Sequence, residues 1–225
     1  MSVTPDSGSR VARCAFCESQ SLQSVVDFGK VALAGGFLKP DQFADEQRFP
    51  LRVFFCNDCH AVQILDVVDT RILFANYFYF SSATRTLREH FADYASEVAA
   101  RFLDPRRSTV VEIGCNDGVL LKPLADHGVR TLVGVDPASN IVSTIADKRL
   151  NVVNDFFSEA VAADIAGRYG KADLIVANNV YAHIPDIRGV TRGIHELLRD
   201  DGVFVFEAHY LGKIVHEMQY DMIYH

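Results

Sequence analysis

The sequence predicts an α/β fold: an open, doubly wound, largely parallel sheet with a small metal-binding lobe in front of it. Three observations carry that expectation. Two C-x-x-C pairs lie within the first sixty residues; β-branched runs alternate with helical patterns from about residue 108 onward; and 225 residues at 49% hydrophobic and 23% charged can bury a sizeable core. The expected divisions are a zinc-binding lobe at 1–66, an aromatic segment and connecting helix at 67–107, and the sheet domain at 108–225.

In the lobe, "CAFC" supplies Cys14 and Cys17, and "CNDC" supplies Cys56 and Cys59, with 38 residues between the pairs. Each pair presents two thiolates from one tight turn, so the two together make a four-sulfur tetrahedral set for a structural Zn2+. All four positions are protein sulfur, which leaves no open place for a reacting water. The intervening stretch is short and strand-like, buries little apolar surface, and depends on metal for much of its folding energy. His60 follows Cys59 directly and is expected at the surface, outside the ligand set.

Residues 84–103, "TRTLREHFADYASEVAARFL", set Leu87, Phe91, Tyr94, Ala95, Val98 and Phe102 at helical spacing. The units "TVVEIG"–"GVLLKPLADHG", "RTLVGVD"–"PASNIVSTIADKR", "LNVVND"–"SEAVAADIAGRYG" and "ADLIVANN"–"DIRGVTRGIHELLRDDG" follow, and "VFVFEAHY" reads as a fifth strand. Near-continuous apolar strands linked by helices mean a parallel sheet covered on both faces, wound in the Rossmann-like manner. Ligands of such sheets sit at the carboxyl ends of the strands.

After the first strand of this sheet comes Glu112-Ile-Gly114-Cys-Asn116-Asp-Gly118. Gly114 allows a tight turn, and Gly118 is expected to open a helix. Asp136 stands 22 positions after Gly114, where a carboxylate can accept ribose hydroxyls. The dinucleotide pattern fails, because Asn116 and Val119 hold its second and third glycine positions. A ligand with a ribose and no pyrophosphate fits better, and S-adenosylmethionine (SAM) is one, with Glu112 and Asp117 to offset its positive groups. Asp155 and Phe156 follow the third strand, as an acceptor and a ring cover for adenine. Asn178 and His183 follow the fourth.

The net charge of −7 argues against nucleic acid as a partner. No 18-residue apolar run and no secretory h-region occur, so a cytoplasmic protein without a membrane partner is expected.

Together, "VEIGCNDGVLL", "GVDPAS", "NDFF", "ANNVYAHIPD", "DGVFVFEAHYLGKIV", "YDMIY" and the cysteine pairs resemble the class I SAM-dependent methyltransferases that methylate a carbon of nucleotide-linked ketosugars in deoxysugar biosynthesis. That resemblance implies C-methylation through an enolate, with a nucleotide-linked ketosugar as partner. It assigns catalytic roles to His183 and to Tyr79, with Tyr77 as the alternative register. It also implies a continuation beyond "YDMIYH", where family members carry a Glu-His pair and a nucleotide-sugar domain. The methyltransferase sheet is therefore expected to be incomplete after its fifth strand, His225 to align just before that pair, and the chain as given to bind SAM weakly and turn over little sugar. An O- or N-methyltransferase of small molecules, or a non-catalytic zinc and SAM-binding fragment, are the competing readings.

Overall fold

The computed structural model describes residues 12–35, 37–74 and 77–224. His225 lies outside them. The chain forms two compact units, divided between Val67 and Val68.

The first unit is a three-stranded antiparallel sheet, β1 (Leu22–Ala32), β2 (Arg48–Cys56) and β3 (Val62–Ile64), in the order β1-β2-β3. Its buried side chains among the described residues are Cys14, Val53, Cys56 and Gln63, while Val25, Phe28, Phe37 and Phe43 stay exposed. An apolar core this small contributes only a few kcal/mol, at roughly 1.5–3 kcal/mol per buried aliphatic side chain. The cysteine cluster therefore sits where the lobe has almost nothing else to hold it.

The second unit opens with α1 (Thr70–Phe74), a short 3-10 turn at Ser81–Ala83 and α2 (Arg85–Phe102). Thr84 caps α2, its Oγ1 accepting from the Leu87 amide. The sheet comprises β4 (Thr109–Ile113), β5 (Thr131–Val135), β6 (Leu150–Val153), β7 (Ala172–Asn178) and β8 (Leu198–Glu207), all parallel, in the order β6-β5-β4-β7-β8. The helices between them are α3 (Leu121–Asp126), α4 (Ser139–Val142), α5 (Glu159–Tyr169) and α6 (Ile187–Leu197), and α7 (Leu211–His216) follows β8. The order reverses direction at β4, so a crevice opens at the carboxyl ends of β4, β5 and β7.

Strand periodicity sorts the core into two layers. Val110, Leu132, Leu174 and Val176 face α2 and α3, packing on Phe91, Ala95, Val98, Leu121 and Leu124. Val111, Val133, Ile175 and Ala177 face α5 and α6, packing on Ala162, Ile165, Val190, Ile194 and Leu197. All six residues expected to form the apolar stripe of α2 lie in or against the first layer.

Three boundaries differ from the sequence expectation. The helix expected over "PASNIVSTIADKR" is only the single turn α4, because the Ser143 and Thr144 hydroxyls donate back to the carbonyls of Asn140 and Ile141. α6 ends at Leu197, and "LRDDG" joins β8, held through Leu198 opposite Ala172 before the register shifts. Gly118 does not open a helix: α3 starts at Leu121, and the Gly118 amide is spent on the Cys115 carbonyl.

Gly134, in mid-β5, makes room for Cys115; a Cβ there would lie 2.6 Å from Sγ. Gly134→Ala should cost about 1–3 kcal/mol of overpacking in the second unit, read as a shift of its denaturant midpoint at unchanged slope.

Candidate active site

The crevice is organised by Asp136, which closes β5. Its Oδ2 accepts from the Asn116 amide at 2.9 Å and its Oδ1 from the Ala138 amide at 2.9 Å. One carboxylate thus ties the loop after β4 to the loop after β5. Each oxygen keeps a lone pair for a ligand hydroxyl. Burial raises the Asp136 pKa despite these two amides. Gly114 and Asn116 both adopt positive φ, 72° and 50°, to bring the β4 loop back over the strand ends. A Cβ on Gly114 would press on Val180 at 3.1 Å.

Asn116, expected to meet the ligand, spends its side chain elsewhere. Its Oδ1 accepts from the Ser81 amide at 2.9 Å, and its Nδ2 donates to the Tyr79 carbonyl at 2.9 Å. Asn140 clamps the same segment, donating to the Tyr77 carbonyl at 2.8 Å and accepting from the Tyr77 amide at 3.2 Å. Ser82 donates to Asp117 Oδ2. Residues 77–82 are thereby strapped across the loops after β4 and β5. Tyr79 is exposed on that strap and meets Tyr77 edge-on at 6.3 Å between ring centres. Of these anchors, Asn140 and Ser82 escaped the sequence reading; polar residues in loops give no signal until the partner segment is placed.

Asn154, also missed, donates from Nδ2 to the Asp136 carbonyl at 2.8 Å, linking the ends of β5 and β6. Asp155 is exposed, and its Oδ1 accepts from the Phe156 amide at 2.7 Å. Phe156 is half-buried, whereas Phe157 belongs to the core under α5 and α6. His183 ends a 3-10 turn, Tyr181–His183, and meets Phe74 edge-on at 6.3 Å. Burial, with a further push from His209, lowers its pKa and favours the neutral imidazole.

Among the described residues, Glu112 Oε2, Asp117 Oδ1, the Tyr94 hydroxyl and the amide atoms of Asn178 are buried without a well-formed hydrogen bond, although the Asn178 amide lies near enough to Glu112 to favour its charged form. Each costs about 1–3 kcal/mol if left unmet, which is what a site for a polar ligand looks like from within. A carboxylate with lone pairs to spare, the open polar atoms and a loop without the phosphate-binding glycine pattern suit SAM.

In the lobe, the Sγ atoms of Cys14, Cys17, Cys56 and Cys59 all lie within 4.8 Å of one another. Cys14 and Cys59 are 3.5 Å apart, and Cys17 and Cys56 3.6 Å. Tetrahedral Zn–S bonds of about 2.3 Å place sulfurs roughly 3.8 Å apart, so the cluster fits zinc. The Cys14 pKa falls to about 6: burial pushes it up, but the Cys17 and Phe16 amides and the Gln63 side chain favour the thiolate and outweigh it. Gln63 Nε2 lies 3.1 Å from Cys14 Sγ, while its Oε1 accepts from the Ala15 amide at 2.8 Å. His60 is exposed, stacked on Phe55, and takes no part in the four-sulfur set.

A parallel sheet whose order reverses at β4, with the Asp136 carboxylate bridging the loops at its carboxyl edge, defines a doubly wound α/β domain, and four converging cysteines precede it in the chain. Residues 85–223 match the family described as "Methyltransferase domain", and residues 14–74 match that described as "Putative zinc binding domain". The chain belongs to the SAM-dependent methyltransferase family, with the zinc-binding module ahead of its sheet. It is 33% identical over 216 residues to the C-methyltransferase NovU of Streptomyces niveus, spanning 96% of this chain and 51% of that one. It is 31% identical over 108 residues to the ubiquinone biosynthesis O-methyltransferase of Azorhizobium caulinodans, spanning 47% of this chain and 42% of that one. The chain spans about half the length of the curated relatives it matches. Among solved structures, the plantazolicin methyltransferase BpumL aligns at a TM-score of 0.49 and 12% identity, over 63% of this chain and 59% of that one; the fold assignment rests on strand order. Among the described residues, no helix is long and apolar enough to cross a membrane.

One zinc per chain is expected by metal analysis. Cys56→Ser should abolish it and unfold the lobe, seen as lost amide-exchange protection in β1–β3, with the second unit unaffected.

Proposed function

We propose that the protein transfers a methyl group from SAM to the carbon alpha to the ketone of a nucleotide-linked deoxysugar, through an enolate. The carrying observation is that the likeness to a relative named as a C-methyltransferase runs through both units, zinc lobe included. The likeness to O-methyltransferases stops at about half the chain.

SAM supplies an electrophilic methyl on a sulfonium. Asp136 orients it through the ribose, and Gly114 and Gly118 let the β4 loop approach closely. Asp155 and Phe156 take the adenine edge and face. His183, whose pKa is lowered by burial, holds or accepts a proton at the substrate, and the Tyr79 hydroxyl donates to the developing enolate oxygen. The base takes the alpha proton, the C–H electron pair enters the enolate, and the new C–C bond forms as the C–S bond breaks. A cytoplasmic location accords with this chemistry.

The O-methylation alternative has the partial likeness to ubiquinone-pathway enzymes in its favour. The two readings separate on substrate. In the polypeptide as its cell makes it, C-methylation requires the ketone and exchanges the alpha proton for deuterium in D2O. An O-methylating enzyme accepts the hydroxyl analogue and exchanges nothing.

Asp136→Ala should weaken SAM binding at least tenfold by calorimetry, since it removes the ribose acceptor and frees both loops. Unchanged affinity would remove the basis for placing SAM in this crevice.

A further inference from the structure

Glu207 ends β8 and Asn178 ends β7, and the two are register partners. One pleat inward on the same face, Val176 and Val205 pack into the layer under α2. At the strand ends the contact with α2 turns from apolar to polar: His90 Nε2 lies 2.8 Å from Glu207 Oε2. Asn179 grips the same glutamate twice. Its amide donates to the Glu207 carbonyl at 2.8 Å, and its Nδ2 donates to Oε1 at 2.6 Å. It does so at a φ of 52°, a backbone conformation uncommon for a residue with a side chain. An amide, a carboxylate and an imidazole thus stand in series, from three separate parts of the chain. In that arrangement a carboxylate orients a histidine for proton transfer.

The His90 ring is fixed by its neighbours on α2 as well. Tyr94 stacks with it at 6.2 Å, and Phe91 meets it edge-on at 5.2 Å. Nε2 faces the carboxylate, while Nδ1 makes no hydrogen bond among the described residues. In the tautomer that donates from Nε2, Nδ1 carries the lone pair. The pair is also reachable: the His90 and Glu207 side chains are 48% and 39% exposed, whereas Asp136 is buried. As a mere tie between helix and sheet, so exposed an ion pair adds little stability, and the Val205 pleat already joins β8 to that layer. The dyad stands three strands along from Asp136, about 14 Å at the usual strand spacing. It therefore borders the far flank of the crevice, at the carboxyl ends where ligands of such sheets enter.

We infer that His90, oriented by Glu207, is the base that takes the proton from the methyl-accepting carbon. This names a residue for the enolate step proposed above and rests on that reading. Methylation of a C–H carbon releases one proton, and a group on the acceptor's flank has to receive it. The alpha C–H bond breaks, its electron pair enters the enolate, and its proton passes to His90 Nδ1. The imidazolium so formed keeps its Nε2–H on the Glu207 carboxylate, which stabilises it, and gives the new proton to solvent afterwards. Glu207 is a positioning residue that acts through His90, and Asn179 holds Glu207 in place. His183, on the loop after β7, is left to hold the substrate.

The test uses the polypeptide as its cell makes it, SAM, and a nucleoside-diphosphate ketosugar deuterated alpha to the ketone. Loss of the deuterium to H2O, methyl transfer, SAM affinity by calorimetry and the thermal midpoint are followed together. His90→Gln should lower deuterium loss and kcat in parallel, by about 10²–10⁴-fold, with SAM affinity and midpoint unchanged. Imidazole added in solution should restore part of both rates, which a purely structural role does not allow. Glu207→Gln keeps an acceptor for Asn179 and removes the charge; it should lower kcat about tenfold or more, and the double variant should be no slower than His90→Gln alone. Deuterium loss and turnover that survive His90→Gln overturn this inference and leave the C-methylation reading standing. A loss that tracks a fallen midpoint in both variants, with no response to imidazole, overturns it in the same way. Methyl transfer by the native protein without deuterium loss overturns the enolate reading and this inference with it.

Discussion

The second unit depends on one carboxylate doing two tasks. Asp136 accepts the amides of Asn116 and Ala138, which belong to loops on neighbouring strands. Hydrogen bonds to an ionised acceptor contribute about 1.5–3 kcal/mol each, enough to fix two otherwise irregular turns. With those turns fixed, the Asn116 and Asn140 side chains are aimed at the backbone of residues 77–81. The aromatic strap is thus held by the same loops that form the cofactor crevice. The shape of those loops and the position of Tyr79 are coupled through a handful of amide hydrogen bonds.

Around that centre the sheet divides its labour by face. The α5 and α6 side is apolar to the strand ends. The α2 side changes from Val110, Val176 and Val205 to Glu112, Asn178 and Glu207 within one further pleat. α2 changes with it, presenting Phe91, Ala95 and Val98 to the core and His90 and Tyr94 to the polar row. A helix that packs on the core along most of its length therefore also meets the polar ends of the strands.

The lobe follows a different logic. Its sheet leaves large apolar side chains in solvent and buries two of the four cysteines. Four cysteine sulfurs from two distant turns converge within 4.8 Å of one another, the donor set and spacing of a tetrahedral zinc site. Gln63 shows how the surrounding protein tunes it, holding the Ala15 amide with one end and the Cys14 sulfur with the other.

Much of this was legible in the chain. The cysteine spacing, the β-branched runs, the α2 stripe and the Gly114–Asp136 interval are local patterns, and local patterns report elements and ligand types because periodicity and turn chemistry act over few residues. The extent of α4, the end of α6 and the place of Gly118 were misjudged where serine and threonine hydroxyls, strand pairing or a local carbonyl outcompeted helix formation. The Asn116 side chain, expected at the ligand, also clamps the strap; Tyr94 packs against the core, as its place in the α2 stripe implies. By itself, the sequence determined the fold class, the zinc ligands and the kind of nucleoside the crevice takes. Only tertiary structure decided which polar groups are left without partners, because that depends on strands distant in sequence arriving side by side and on which neighbour each side chain meets there.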